Sequence, residues 1–161
     1  MRGYKIFNKK KIDFTYLRYG QLSRYRSLEM VKILKEQIKK FKDTNTNQNN
    51  KFILLEVGSY LGESLELFGD VLQKEIPNNF IIISVDPYIP YATDKENEKN
   101  STTSICSKKI EDVYLYFKHN ISLKSWRSNF IHIRKNLDEA KIILKHFNIT
   151  CDFIYIDGSH Y

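Results

Sequence analysis

Cysteine is scarce in this chain, and long apolar runs are missing. Among 161 residues only Cys106 and Cys151 occur, and their separation fits no metal-ligand spacing. The pair therefore reads as two free thiols in a cytoplasmic protein, not as a metal site. No apolar run approaches the ~18 residues that a membrane span needs. The opening stretch, Met1-Arg-Gly-Tyr-Lys-Ile-Phe-Asn-Lys-Lys, has no apolar core of the kind a signal peptide carries. The sequons at Asn100, Asn120 and Asn148 matter only in a secreted protein and read as chance in an Asn-rich chain. Internal repeats are absent, and the single low-complexity tract is the polar stretch 43–50.

What is present suffices for a globular domain with a real core: 42% of the residues are apolar. Net charge is +7, from 26 Lys and Arg against 19 Asp and Glu. Much of the excess lies early, at Lys5, Lys9, Lys10 and Lys11 and again at Lys32, Lys35, Lys39, Lys40 and Lys42. A solvated face accounts for such a cluster. With Tyr4, Phe7, Phe14, Tyr16, Tyr19 and Tyr25 interleaved, residues 1–26 read as an irregular arm or a short helix, packed on the domain as a lid; single-stranded nucleic acid is the alternative partner, and no readout motif supports it.

Periodicity gives the elements. Leu28, Val31, Leu34, Ile38 and Phe41 mark a helix face, with Ser27 as its expected N-cap. Asp43 to Asn50 is a loop, so residues 1–50 form an arm and helix ahead of a domain over 51–161. Phe52 to Val57 is a buried strand. Gly58 and Gly62 follow, and Leu65, Phe68, Leu72 and Ile76 recur at helical spacing. Phe80 to Val85 is the second strand and ends at Asp86. Residues 91–109 read as a long loop of the substrate-facing or lid type. Ile110, Val113, Phe117 and Ile121 predict a helix, 130–133 a strand, Leu137, Ala140, Leu144 and Phe147 a helix, and 152–157 a fourth strand. Alternation of this kind predicts an α/β fold: a Rossmann-like open parallel sheet with flanking helices, and four strands in this chain.

In open parallel sheets ligands bind outside the carboxyl ends of the strands. Those ends carry Glu56 to Gly62, Asp86 to Tyr88, Arg134 to Leu137, and Asp157 to Tyr161. The turn after the first strand lacks both the Gly-x-Gly-x-x-Gly spacing of a dinucleotide fingerprint and the Gly-Lys-Ser/Thr ending of a P-loop. It has instead a carboxylate, Glu56, which repels phosphate and suits a ligand with positive charge. Asp86 stands where the hydroxyls of a ribose are held.

Four segments in order now carry a resemblance. Glu56-Val-Gly-Ser-Tyr-Leu-Gly-Glu-Ser64 resembles motif I of the class I S-adenosylmethionine-dependent methyltransferases, in the branch related to sugar and macrolide O-methyltransferases and cephalosporin hydroxylase-like proteins. Ser84-Val-Asp-Pro-Tyr88 resembles their acidic second-strand motif, Phe117-Lys-His-Asn120 a helix motif, and Cys151 to Tyr161 the fourth-strand signature of that branch. The resemblance covers roughly residues 50–161. It implies that Glu56, Gly58 and Gly62 hold the methionine part of S-adenosyl-L-methionine, with Ser59 and Ser64 assisting, that Asp86 takes the ribose, and that Tyr88 lies near the adenine. Leu137 replaces a serine that relatives place beside the adenine, and a backbone amide would serve instead. It further implies that Asp157 ligates a divalent metal such as Mg in metal-dependent relatives, or that His160 acts as general base, on a small-molecule acceptor such as a sugar. His119, His132 and His146 show no constellation and are expected to be structural or exposed.

The branch continues past a fourth strand, so the resemblance also implies an N-terminal portion or a truncated copy, with the fourth strand as an exposed edge able to support oligomers. A binding module that has lost catalysis is the alternative function.

Overall fold

The computed structural model describes residues 24–45, 50–89 and 110–157. The arm before Arg24, the loop 91–109, Cys106 and His160 lie outside the described residues. Elements run in the order α1 (Arg24–Thr44), β1 (Phe52–Val57), α2 (Glu63–Glu75), β2 (Phe80–Val85), α3 (Ile110–Ser122), a 3-10 turn (Arg127–Asn129), β3 (Phe130–Ile133), α4 (Leu137–His146) and β4 (Phe153–Ile156). All pairings are parallel and the strand order is β3-β2-β1-β4. This is the Rossmann-like α/β sheet that the alternating pattern predicts.

Period-two alternation divides the sheet into two faces. Phe52, Leu54, Phe80 and Ile82 join Leu65, Phe68 and Leu72 of α2, Val113, Phe117 and Ile121 of α3, and Met30, Leu34 and Ile38 of α1 in one apolar cluster. On the opposite face Leu55, Ile83 and Val85 pack with Ala140 of α4. The two central strands are covered on both sides, which explains why their sequences are almost continuously apolar. The edge strands are covered on one side: Phe153 contacts Phe68, whereas Ile154 and Ile156 are exposed.

Two helices differ from their sequence patterns. α1 already includes Arg24, so Ser27 lies inside the helix and is no N-cap. Its buried residues are Met30, Leu34 and Ile38, while Leu28 is exposed; the stripe that meets α2 is rotated from the expected one because Met30, not Leu28, continues the i, i+4 row. In α4 only Ala140 is fully buried, and Phe147 and Leu137 are exposed. A helix of 10 residues on the far face reaches β1 and β2 with its middle alone. Its start is set by Asn136, whose side chain accepts from the Glu139 amide.

Candidate functional site

The turn between β1 and α2 holds three residues in the left-handed region: Gly58 at φ 86°, Tyr60 at 45° and Gly62 at 86°. Glycine meets this demand freely, and Tyr60 is held there by its surroundings. A Cβ on Gly62 would lie 3.2 Å from Phe117 Cδ2, so α3 also closes on this turn. Succession of such conformations turns backbone N–H groups inward, as in an anion-binding nest. Here the anion is the protein's own. Asp86 Oδ2 accepts from the Ser59 and Tyr60 amides at 2.9 and 3.1 Å, and Oδ1 from the Tyr88 amide at 2.8 Å. The Ser59 and Tyr60 amides are thus already engaged. A carboxylate offers about four acceptor positions, so one remains on Asp86.

Tyr88 is buried, and its hydroxyl donates to the Tyr60 carbonyl at 2.7 Å. Its ring packs beside Tyr114, Phe117 and His132. From α3, Asn120 Nδ2 donates to the Leu61 carbonyl at 3.0 Å, which gives the Phe117-to-Asn120 segment a physical role as a brace on the turn.

Glu56 is the last inward-facing residue of β1 and is fully buried. Its Oε1 accepts from the Ser64 hydroxyl at the start of α2, and its Oε2 has no partner. Burial, partly offset by the Ser64 and Ser59 hydroxyls and reinforced by the nearby Asp157 and Asp86 charges, raises its pKa to about 8. Glu56 therefore holds its proton at neutral pH.

Strand register adds what the sequence did not suggest. Tyr155, Glu56, Ser84 and His132 are aligned neighbours across β4, β1, β2 and β3, all on the α2 face. Ser84 Oγ lies 2.6 Å from Ser59 Oγ and 3.1 Å from His132 Nδ1. His132 Nε2 is buried without a partner, and burial lowers the imidazole pKa to about 4 despite Asp86, with Arg134 acting in the same direction. His132, expected to be structural or exposed, is thus tied to the glycine turn. Only strand pairing, which a single sequence does not display, could have found it.

Asp157 follows β4. Its amide donates to the Val57 carbonyl at 2.8 Å, and Tyr155 Oη donates to its Oδ2 at 3.1 Å. Among the described residues no group of three or more His, Cys, Asp or Glu could hold a metal ion. The structure brings Glu56, Gly58, Ser59, Gly62, Ser64, Asp86 and Tyr88 together with Asp157 at one sheet edge. Leu137 begins α4 beyond β3, on the other side of β2 from that turn. No helix among the described residues is long and apolar enough to cross a membrane.

No family model matches the chain, and no curated protein matches it. Among solved structures, the crystal structure of CalS11, a calicheamicin methyltransferase, is similar at a TM-score of 0.50 and 10% identity, over 84% of this chain and 55% of that one. The chain spans about half the length of that structure. At this identity the likeness speaks for architecture alone, the Rossmann-like α/β sheet with flanking helices.

Proposed function

We propose that the chain binds S-adenosyl-L-methionine and belongs to an enzyme that methylates a hydroxyl of a small molecule such as a sugar. One observation carries the reading: Glu56, buried at the end of β1 with Oε2 unpartnered, beside a turn whose Ser59 and Tyr60 amides are already held by Asp86. Such a site offers an arriving cation a buried acid that can ionise against it, while the Ser59 and Tyr60 amides, already held by Asp86, are closed to a phosphate. The cofactor has an ammonium group, a sulfonium and no phosphate, so the residues present fit it. Glu56 would receive the ammonium, with Gly58 and Gly62 allowing close approach and Ser59 and Ser64 supplying hydroxyls. The remaining acceptor position on Asp86 would take a ribose hydroxyl, and the Tyr88 and Leu137 segments would border the adenine.

When bound, the cofactor supplies an electrophilic methyl group. The chain's contribution is orientation and proton removal from the acceptor, for which Asp157 and His160 are the candidates. Asp157 would hold a divalent ion only with further ligands from outside the described residues.

Calorimetry with S-adenosylhomocysteine tests the reading. One-site binding is expected, weakened roughly 10-fold or more in Glu56→Ala, the cost of a lost charge-assisted hydrogen bond. A folded protein that binds no S-adenosylhomocysteine overturns it.

A further inference from the structure

The glycine turn and the segment after β2 each contain a tyrosine in the left-handed region, Tyr60 at φ 45° and Tyr88 at φ 48°. A Cβ makes that conformation unfavourable, so two such residues persist only where their surroundings hold them. Here each holds the other. The Tyr88 hydroxyl donates to the Tyr60 carbonyl at 2.7 Å. Asp86 joins the two backbones, its Oδ2 accepting from the Tyr60 amide at 3.1 Å and its Oδ1 from the Tyr88 amide at 2.8 Å. The peptide groups on both sides of the Tyr60 Cα are thereby fixed. The next carbonyl, that of Leu61, accepts from Asn120 at 3.0 Å. Gly58 and Gly62 leave the ends of the turn free to move, so Tyr60 between them is the point at which its shape can be set. The Tyr88 ring aims the hydroxyl. It is 2% exposed, with centroids 5.0 Å from Tyr114, 5.3 Å from Phe117 and 5.6 Å from His132, so α3 and β3 enclose it. A ring so enclosed has no face to offer an arriving base.

We propose that Tyr88 is a positioning residue: its hydroxyl holds Tyr60 in the left-handed region and so sets the shape of the glycine turn, acting on the end of the site beside Glu56 and not as a side-chain contact for a base. That this end receives the amino-acid part of S-adenosyl-L-methionine rests on the cofactor reading above; the hold on the turn does not. Once the hydroxyl is removed, Tyr60 loses that donor and relaxes toward ordinary backbone angles. Its amide and that of Ser59 then draw away from Asp86, and the turn opens. The ring keeps its place among Tyr114, Phe117 and His132, so the effect stays local.

Tyr88→Phe keeps the ring and removes the hydroxyl, and the first reading of it needs no ligand. Amide hydrogen exchange is followed by NMR in the full chain. Exchange at the Ser59 and Tyr60 amides is expected to quicken about 10-fold, the equivalent of one lost hydrogen bond, while amides within β1 and β2 keep their rates. Unchanged exchange at the turn overturns the proposal. Equal quickening throughout β1 and β2, or an unfolded variant, overturns it too, because the hydroxyl would then hold the sheet and not the turn. The second reading is calorimetry with S-adenosylhomocysteine and with 5′-methylthioadenosine, which shares the adenosine end and lacks the amino-acid end. Tyr88→Phe is expected to weaken the first about 3- to 10-fold and to leave the second unchanged. Equal loss for both assigns Tyr88 to the base and overturns the proposal, as does loss for neither. If the unsubstituted protein binds no S-adenosylhomocysteine, the cofactor reading fails and hydrogen exchange alone decides the hold on the turn.

Discussion

A carboxylate removed from water holds its proton more tightly, and an imidazole removed from water gives its proton up; the site contains both. For Glu56 the native state keeps, from pH 4.5 to about 8, a proton that the unfolded chain releases, so its contribution to stability is full below 4.5 and falls with rising pH across that interval. For His132 the native state refuses, from about pH 4 to 6.5, a proton that the unfolded chain accepts, so its contribution is full above 6.5 and falls as pH drops toward 4. The two trends oppose each other between 4.5 and 6.5. Above 6.5 only the Glu56 trend remains, and thermal melts are expected to show a loss of up to roughly 2 kcal/mol between pH 6.5 and 8. Glu56→Gln should flatten that slope; an equally steep slope in the variant would mean that other groups cause it. That Glu56 is buried was half legible in the sequence, since it stands among Phe52, Ile53, Leu54, Leu55 and Val57. The state of its two oxygens was not, because Ser64, Asp86 and Asp157 reach it only through the fold.

At the scale of elements, α2 and the segment after α3 are locked by a glycine. The ideal Cβ position on Gly69 lies 2.2 Å from Trp126 Cε2, so the indole occupies the space a side chain would need. Trp126 is buried and donates from Nε1 to Asp70 Oδ1 at 2.9 Å, and Lys124 pairs with Glu66 at 2.8 Å alongside. Gly69→Ala is better for helix propensity by about 1 kcal/mol, but it must displace the ring. Overpacking wins: a net loss of about 1–3 kcal/mol is expected in urea unfolding, with a red shift in the emission of this sole tryptophan as its ring is pushed toward water. A stable variant with unchanged emission would show that α2 shifts freely. The helical period around Gly69 was plain in the sequence. Its partner was not, since Trp126 stands 57 positions later in a connection with no period of its own.

For the whole molecule, the open question is the edge at β4. Among the described residues that strand pairs only with β1, and Ile154 and Ile156 are exposed on the α4 face, with Ile142 of α4 and Phe147 just after it also exposed. Unpaired backbone beside bare apolar side chains favours association. Sedimentation velocity over a concentration series is expected to show self-association, and Ile156→Lys to shift the chain toward monomer. Sedimentation independent of concentration in the unsubstituted chain would end that expectation.

The order of elements was readable along the chain, because burial on one or both faces imposes periods of 3.6 and 2 on local residue choice, and local choice is what a sequence displays. So were the strand ends that carry Glu56, Asp86 and Asp157, since position along a strand follows from its length. Strand order and register came from the folded arrangement. These set Tyr155, Glu56, Ser84 and His132 in one row and turned the Asp86 carboxylate toward the amides of the glycine turn. Such pairings join residues tens of positions apart through hydrogen bonds that any backbone can make, so no pattern in the chain announces them.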